Sequence, residues 1–464
     1  MISPLLFLGL VAILALFALV ATLNLLLAVR SGGERPYMPT TPQAPVPELA
    51  ATWTLEPGKL RPDLADPEIL TPVDGSFDDN HVVAVGDVWA ILTSDHNDRN
   101  VAVHGIDQRT GEPRWRKELP DGICAANPLG KALLCARSAA NDPATGLGIR
   151  WRISLLDPAT GRERRGVDFD GWLTLMHVHG DRLMLVEQRQ PAPHAVVTVL
   201  DAALERRSRL DLSGQPEHAG LFSDNRIYNR TLPIPDGPAL DRPRIRTVAD
   251  NLTALWAGQT TAFFDLKQGT LVAMPRCSRL VDDGERLWCN AGPLAIAHDY
   301  ALKPLYSTVL NTRLAFPDRD PRAGDVTDPV FLEIDGKAVR VDLTTGETIG
   351  PLVNTSNGSA FGMTTPPQVS FVDGRTLIWD TELLFAVNAR TGELFWQREK
   401  QSTLESILGW HGDLLFAGRQ LQVVDPATGT VGREYRQPHG QATAAVGDVL
   451  IGIGSDELAR LVDP

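Results

Sequence analysis

Four cysteines stand in two pairs of nearly equal spacing. Cys124 and Cys135 flank a short apolar-polar stretch ending in Gly130-Lys131, and Cys277 and Cys289 flank the turn Asp282-Asp283-Gly284-Glu285. Around a hairpin, such residues lie opposite each other on neighbouring strands, within disulfide reach. Four buried free thiols are the alternative. The Cys-x-x-Cys spacing of zinc sites and redox motifs is absent. Disulfides at Cys124, Cys135, Cys277 and Cys289 imply an oxidising compartment.

Other groups with chemical potential are weaker. His177-Val178-His179 puts two imidazoles on one face of a strand, with no third ligand at a useful spacing. Asp95-His96-Asn97-Asp98 and Asp318-Arg319-Asp320 are oxygen-rich, yet lack the spaced acidic series, Gly and closing Glu of a calcium loop. No Gly-x-Ser-x-Gly, His-Glu-x-x-His or phosphate loop occurs. No catalytic, cofactor-binding or metal residue is therefore assigned. Asn229-Arg230-Thr231 and Asn354-Thr355-Ser356 match the glycosylation sequon and mean little if the source is bacterial.

The elements that carry these residues recur. Asp107-Gln108-Arg109-Thr110-Gly111 is followed by Trp115, and Asn388-Ala389-Arg390-Thr391-Gly392 by Trp396 at the same offset. Asp157 to Gly161, Asp342 to Gly346 and Asp425 to Gly429 repeat the turn, and Asp265 to Gly269 has lost only its Thr. Asp201 and Asp299 close apolar runs without a following Gly. Each unit reads strand, turn, strand: the Asx side chain accepts turn N–H groups, and Gly supplies positive φ. Intervals of roughly 35 to roughly 75 residues, most near 40–50, suit four-stranded propeller blades. Gly-Asp or Asp-Gly turns such as Gly86-Asp87, Gly180-Asp181, Asp373-Gly374 and Gly412-Asp413 mark inner hairpins of the same units.

Asp-x-x-Thr-Gly-x-x-x-Trp at Asp107–Trp115, and its Asn variant at Asn388–Trp396, resemble the repeat of the PQQ-like β-propeller superfamily. The resemblance covers about 80–460. It implies an all-β fold: one propeller of four-stranded antiparallel blades, eight favoured, with seven or nine as alternatives. It also implies that Trp115 and Trp396 pack against the neighbouring blade. Quinoprotein dehydrogenases of this superfamily use PQQ and calcium; this chain lacks their adjacent Cys-Cys pair, a haem Cys-x-x-Cys-His and an assignable calcium ligand set.

The ends frame this repeat region. Leu5 to Val29 carries no charge, and about 25 residues at 1.5 Å give roughly 37 Å, enough to cross a bilayer. The expectation is an uncleaved transmembrane anchor over 1–30, since a basic n-region and a clear cleavage site are missing. Residues 31–50 are a Pro-rich linker, and 51–464 form the propeller. Arg30 and Arg35 alone would keep the C-terminal part in the cytoplasm; the cysteines outweigh them and put the propeller outside. The Thr52-Trp53-Thr54 strand has no inner strands before it, while the C-terminal strands have no outer strand after them. Pairing the two ends would complete one blade and close the ring.

With a net charge of −13 and no basic patch, nucleic acid is not a partner. The expected function is a membrane-tethered extracytoplasmic module that binds a protein or envelope component, with no cofactor and no catalysis. A PQQ/calcium oxidoreductase and the sensing subunit of a signalling complex are the alternatives.

Overall fold

Strands buried on both faces alternate with strands half open to solvent, and this contrast organises the chain. Val88–Asp95 is buried throughout except at its last residue, whereas Pro113–Glu118 alternates between exposed and half-buried. Continuous apolar runs mark sheets covered on both sides, and alternation marks a rim. The computed structural model describes residues 46–462 apart from 71–81, 96–99, 144–147, 190–192, 224–238, 241–242, 250, 283–286, 292–293, 310–329, 333–336, 342–347, 355–367, 373–374, 380–382, 389–393, 400–405, 418–419, 437–441, 447–448 and 454–456.

The chain divides into Met1–Val46 and Pro47–Pro464. The expected anchor, and the linker up to Pro45, lie outside the described residues. Among the described residues no helix is long and apolar enough to cross a membrane.

The second unit is built of antiparallel sheets, most of them an up-and-down run of consecutive strands; in the first, Pro67–Leu70 and Val82–Val85 both pair with Val88–Asp95. In chain order the first sheet holds Pro67–Leu70, Val82–Val85, Val88–Asp95, Ala102–Asp107 and Pro113–Glu118. The second holds Ile123–Cys124, Leu133–Asn141, Gly148–Leu156 and Glu163–Asp170. The third holds Trp172–His179, Arg182–Arg189, His194–Asp201 and Arg206–Asp211. The fourth spans Arg244–Ala249 to Thr270–Ala273, and the fifth Arg279–Asp282 to Pro304–Val309. The sixth has three strands, Val330–Leu332, Lys337–Val341 and Thr348–Asn354. The seventh spans Gln368–Val372 to Leu394–Glu399, and the eighth Ser406–Trp410 to Val431–Arg436.

A further sheet joins the two ends of the unit. Ala51–Leu55 pairs antiparallel with Leu458–Leu461, next to Val449–Ile453 and Ala442–Val446. Just before it, Pro47–Leu49 run beside Arg436, with Leu49 N to Arg436 O at 3.1 Å and Arg436 N to Pro47 O at 2.8 Å.

The hydrophobic core is a set of slabs between successive sheets. Leu134, Trp151 and Ile153 of the second sheet meet Leu173, Met176 and Leu185 of the third. The opposite face of the third, through Val186 and Val197, meets Leu255 and Phe264 of the fourth. Phe263 of the fourth meets Leu280 and Leu287 of the fifth. Trp396 of the seventh packs with Leu414 and Phe416 of the eighth, whose Leu415 and Val423 pack on the closing sheet. Ile451 and Leu458 of the closing sheet meet Trp89 and Ile91 of the first. Among the described residues these slabs and the first–second slab of Leu92 and Leu133 run from the seventh sheet through the closing sheet to the fifth. Stacked meanders whose chain ends pair are the arrangement of a β-propeller.

Candidate functional site

The turns are built as the Asx-Gly pattern requires. Asp107 Oδ1 accepts the N–H groups of Arg109 at 2.8 Å and Thr110 at 3.0 Å, and Gly111 N–H reaches Asp107 O at 2.9 Å. Asp157 holds its turn in the same way, and Asp425 accepts the Ala427 N–H and the Thr428 hydroxyl, with Gly429 N–H on its carbonyl. Asp265 accepts Gln268 N–H at 2.8 Å. Asp201 and Asp299 still close turns, each one residue shorter, with Leu204 and Leu302 at φ +58° and +61° in the place of Gly.

Among the described residues three seams between sheets are closed by an indole. Trp53 Nε1 donates to Gln108 O at 3.1 Å, Trp115 Nε1 to Pro158 O at 2.6 Å, and Trp396 Nε1 to Pro426 O at 2.9 Å. Each acceptor is the residue after the turn's Asp in the next sheet. The rings lie on the turn glycines: a Cβ at Gly111 would stand 2.7 Å from Trp53 Cδ2, and one at Gly429 would stand 2.5 Å from Trp396 Cδ2. These glycines are needed twice, for φ of +75° and +70° and for the ring's approach.

The indole also needs space within its own sheet. Trp115 stands opposite Gly105, where an added Cβ would overlap the ring, and Trp396 stands opposite Ala386. Where the outer-strand residue is small or charged, its partner is large: Ala273 opposite Phe263, Arg165 opposite Leu155, Arg433 opposite Val423. The sequence reading missed this exchange; its signal is the residue type two positions before each turn Asp.

Outer-strand arginines complete the turns. Arg114 reaches Asp107 at 2.5 Å and Asp87 at 2.6 Å. Arg164 pairs with Asp157 and Arg207 with Asp201. The Arg114 guanidinium, helped by the turn N–H groups, holds the Asp107 carboxyl down to about 2. Arg164 lowers Asp157 likewise, while for Asp201 the Glu205 N–H is the larger cause. These carboxylates are engaged in structure and are poor general bases.

Buried ionisable groups sit elsewhere. Glu187 is fully buried between Arg189 and Arg209; burial pushes its carboxyl up against the opposing pull of Arg209, and Oε2 has no partner. His177 is buried, with Nε2 3.1 Å from Thr247 Oγ1, and His104 lies 2.9 Å from Thr93 Oγ1. Burial lowers both imidazoles to about 4. Among the described residues no cluster of three His, Cys, Asp or Glu could hold a metal.

One seam is open. At the edge where the fourth sheet meets the fifth lies a groove of about 600 Å³ lined by Val248, Asn251, Leu252, Asp265, Val272 and Tyr300. Val272 is 45 % exposed.

Both disulfides are present. Cys124 and Cys135 face each other directly in the strand register, with Cα atoms 4.0 Å apart. Cys277–Cys289, with Cα atoms 5.2 Å apart, ties the connector leaving the fourth sheet to the second strand of the fifth, whose residue Cys289 stands opposite Leu280. Asp342, Gly346, Gly392, the loop 96–99 and Asp318–Asp320 lie outside the described residues, as does the side chain of Asn388.

No protein-family model and no curated protein matches the sequence. Among solved structures the chain is similar to BamB from Moraxella catarrhalis, at 11% identity over 89% of this chain and 99% of that one, with a TM-score of 0.44. It is similar to Sqt1 of Saccharomyces cerevisiae at 9% identity over 85% and 98%, with a TM-score of 0.43. A europium-containing methanol dehydrogenase gives 11% identity over 87% and 84%, with a TM-score of 0.41. The architecture rests on the strand pairing and the seams, and these likenesses add nothing to it.

Proposed function

We propose that this chain is a membrane-tethered, extracytoplasmic β-propeller that binds a protein or cell-envelope partner and performs no chemistry of its own. The observation that carries the reading is a contrast between seams. Among the described residues three are locked by an indole, while the fourth-to-fifth seam carries a groove with largely apolar walls. A stiff body with an unfilled, largely apolar edge suits recognition. The turn carboxylates of Asp107, Asp157 and Asp201 are committed to backbone N–H groups and arginines, which leaves them structural. Residues 1–30 serve as the anchor and 31–50 as the spacer, and the disulfides suit an oxidising compartment. The ring has eight blades if the three-stranded sheet Val330–Asn354 is an insertion, and nine if it is a blade.

Crosslinking in intact cells tests the reading. A defined adduct with one envelope or membrane protein supports it. Absence of any adduct, or stoichiometric PQQ binding with calcium-dependent dye-linked alcohol oxidation, contradicts it.

A further inference from the structure

The first sheet shows what a filled seam contains. Two adjacent outer-strand residues close it: Arg114 pairs with Asp107 of its own turn, and Trp115 donates to Pro158 O of the next turn. Both are placed by register, since Trp115 stands opposite Gly105, two residues before Asp107. In the fourth sheet the same register puts Ala273 opposite Phe263, two residues before Asp265. Val272 and Ala273 therefore occupy the places of Arg114 and Trp115.

The positions that would receive the two missing side chains are both at the groove. Among the described residues Asp265 forms no ion pair; its carboxylate accepts the Gln268 N–H at 2.8 Å. Tyr300, the residue after Asp299, stands where Pro158 stands in the second sheet. Phe263, 2 % exposed, packs with Val248, Leu252, Leu280 and Leu287 in the core of this seam. The groove's lining includes Asp265 and Tyr300, the equivalents of Asp107 and Pro158, together with Val248, Leu252 and Val272.

We propose that this groove takes a basic–aromatic pair, Arg-Trp, from a partner polypeptide. The guanidinium pairs with Asp265, and the indole lies on the apolar wall and donates its N–H to the Tyr300 carbonyl. This supplies from outside the two contacts that the first sheet makes from within. The inference rests on the reading of the chain as a binding module and names the chemistry of what it binds. The overall charge of −13 favours a basic segment on approach.

The test uses the full chain and a fluorescein-labelled peptide Pro-Arg-Trp-Arg-Lys-Glu, which copies residues 113–118. Saturable one-to-one binding is expected by fluorescence anisotropy. Val272→Arg gives Asp265 a partner in cis and should weaken binding at least tenfold. Val462→Arg, at an exposed position remote in the register, should leave it unchanged. Replacing the peptide's Trp, or its first Arg, by Ala should also weaken binding at least tenfold. No binding to the unmodified chain overturns the proposal. So does binding indifferent to Val272→Arg, or binding that survives loss of the Trp. A partner adduct in cells combined with any of these results removes the groove proposal and leaves the binding-module reading standing.

Discussion

Gly429→Ala probes whether an indole closes the seam between the seventh and eighth sheets. Gly429 has φ +70°, and an added Cβ would lie 2.5 Å from Trp396 Cδ2 and 2.7 Å from Cε3. The left-handed backbone alone costs a side chain about 1–2 kcal/mol. Forcing a methyl into a fixed ring adds about 1–3 kcal/mol. Trp396 is 8 % exposed and bonds Pro426 O, so Trp396→Ala costs about 3–5 kcal/mol. With the ring gone, the methyl has nothing to strike, and only the backbone cost of Gly429→Ala remains. The double variant should therefore be less destabilised than the sum of the singles by about 1–3 kcal/mol. Urea unfolding followed by far-ultraviolet circular dichroism, with disulfides oxidised and equal m-values across the four proteins, reads this coupling. Additivity within about 0.5 kcal/mol would refute the seam, because residues that do not touch do not couple.

Ala386→Leu should cost about 1–3 kcal/mol, since the larger side chain displaces Trp396 from its own sheet; the same urea assay checks it, and a neutral result contradicts the size exchange. His104 and His177 sit near 4 in the fold against an ordinary 6.5. The unfolded chain takes up these protons first, so stability present above pH 6.5 is lost as pH falls towards 4, on the order of 3 kcal/mol per histidine. Imidazole proton resonances that titrate near 6.5 in the folded protein would contradict this. Non-reducing peptide mapping should recover the 124–135 and 277–289 links, and Cys289→Ser should lower stability by about 2–4 kcal/mol; free thiols at all four positions would remove the compartment argument.

The turns were legible because their chemistry is local. An Asp that accepts the turn's donors and a Gly at positive φ leave the same mark wherever they occur, as at Asp107, Asp157 and Asp425. Trp115 and Trp396 were readable as docking residues through the family resemblance. Which carbonyl each indole meets was not, because the acceptor lies in the next sheet. Asp201 and Asp299 have no Gly after them, yet Leu204 and Leu302 take the left-handed conformation that Gly usually holds, which no composition rule announces. Glu187 gave no sequence signal, since burial of a carboxylate between sheets depends on what stacks above it. The groove was hidden for a different reason: it is defined by an absence, Val272-Ala273 where a filled seam has Arg-Trp. Comparing the units position by position, rather than searching each for a motif, would have exposed it.

The repeated sheets form one closed ring only if its first and last strands pair, and those strands are in direct register. Thr54 stands opposite Ala459. Cysteines introduced at both positions should form a disulfide in the purified full chain, found by non-reducing peptide mapping as a link between residues 54 and 459. Two free thiols at these positions in the folded protein would show that the ends do not meet.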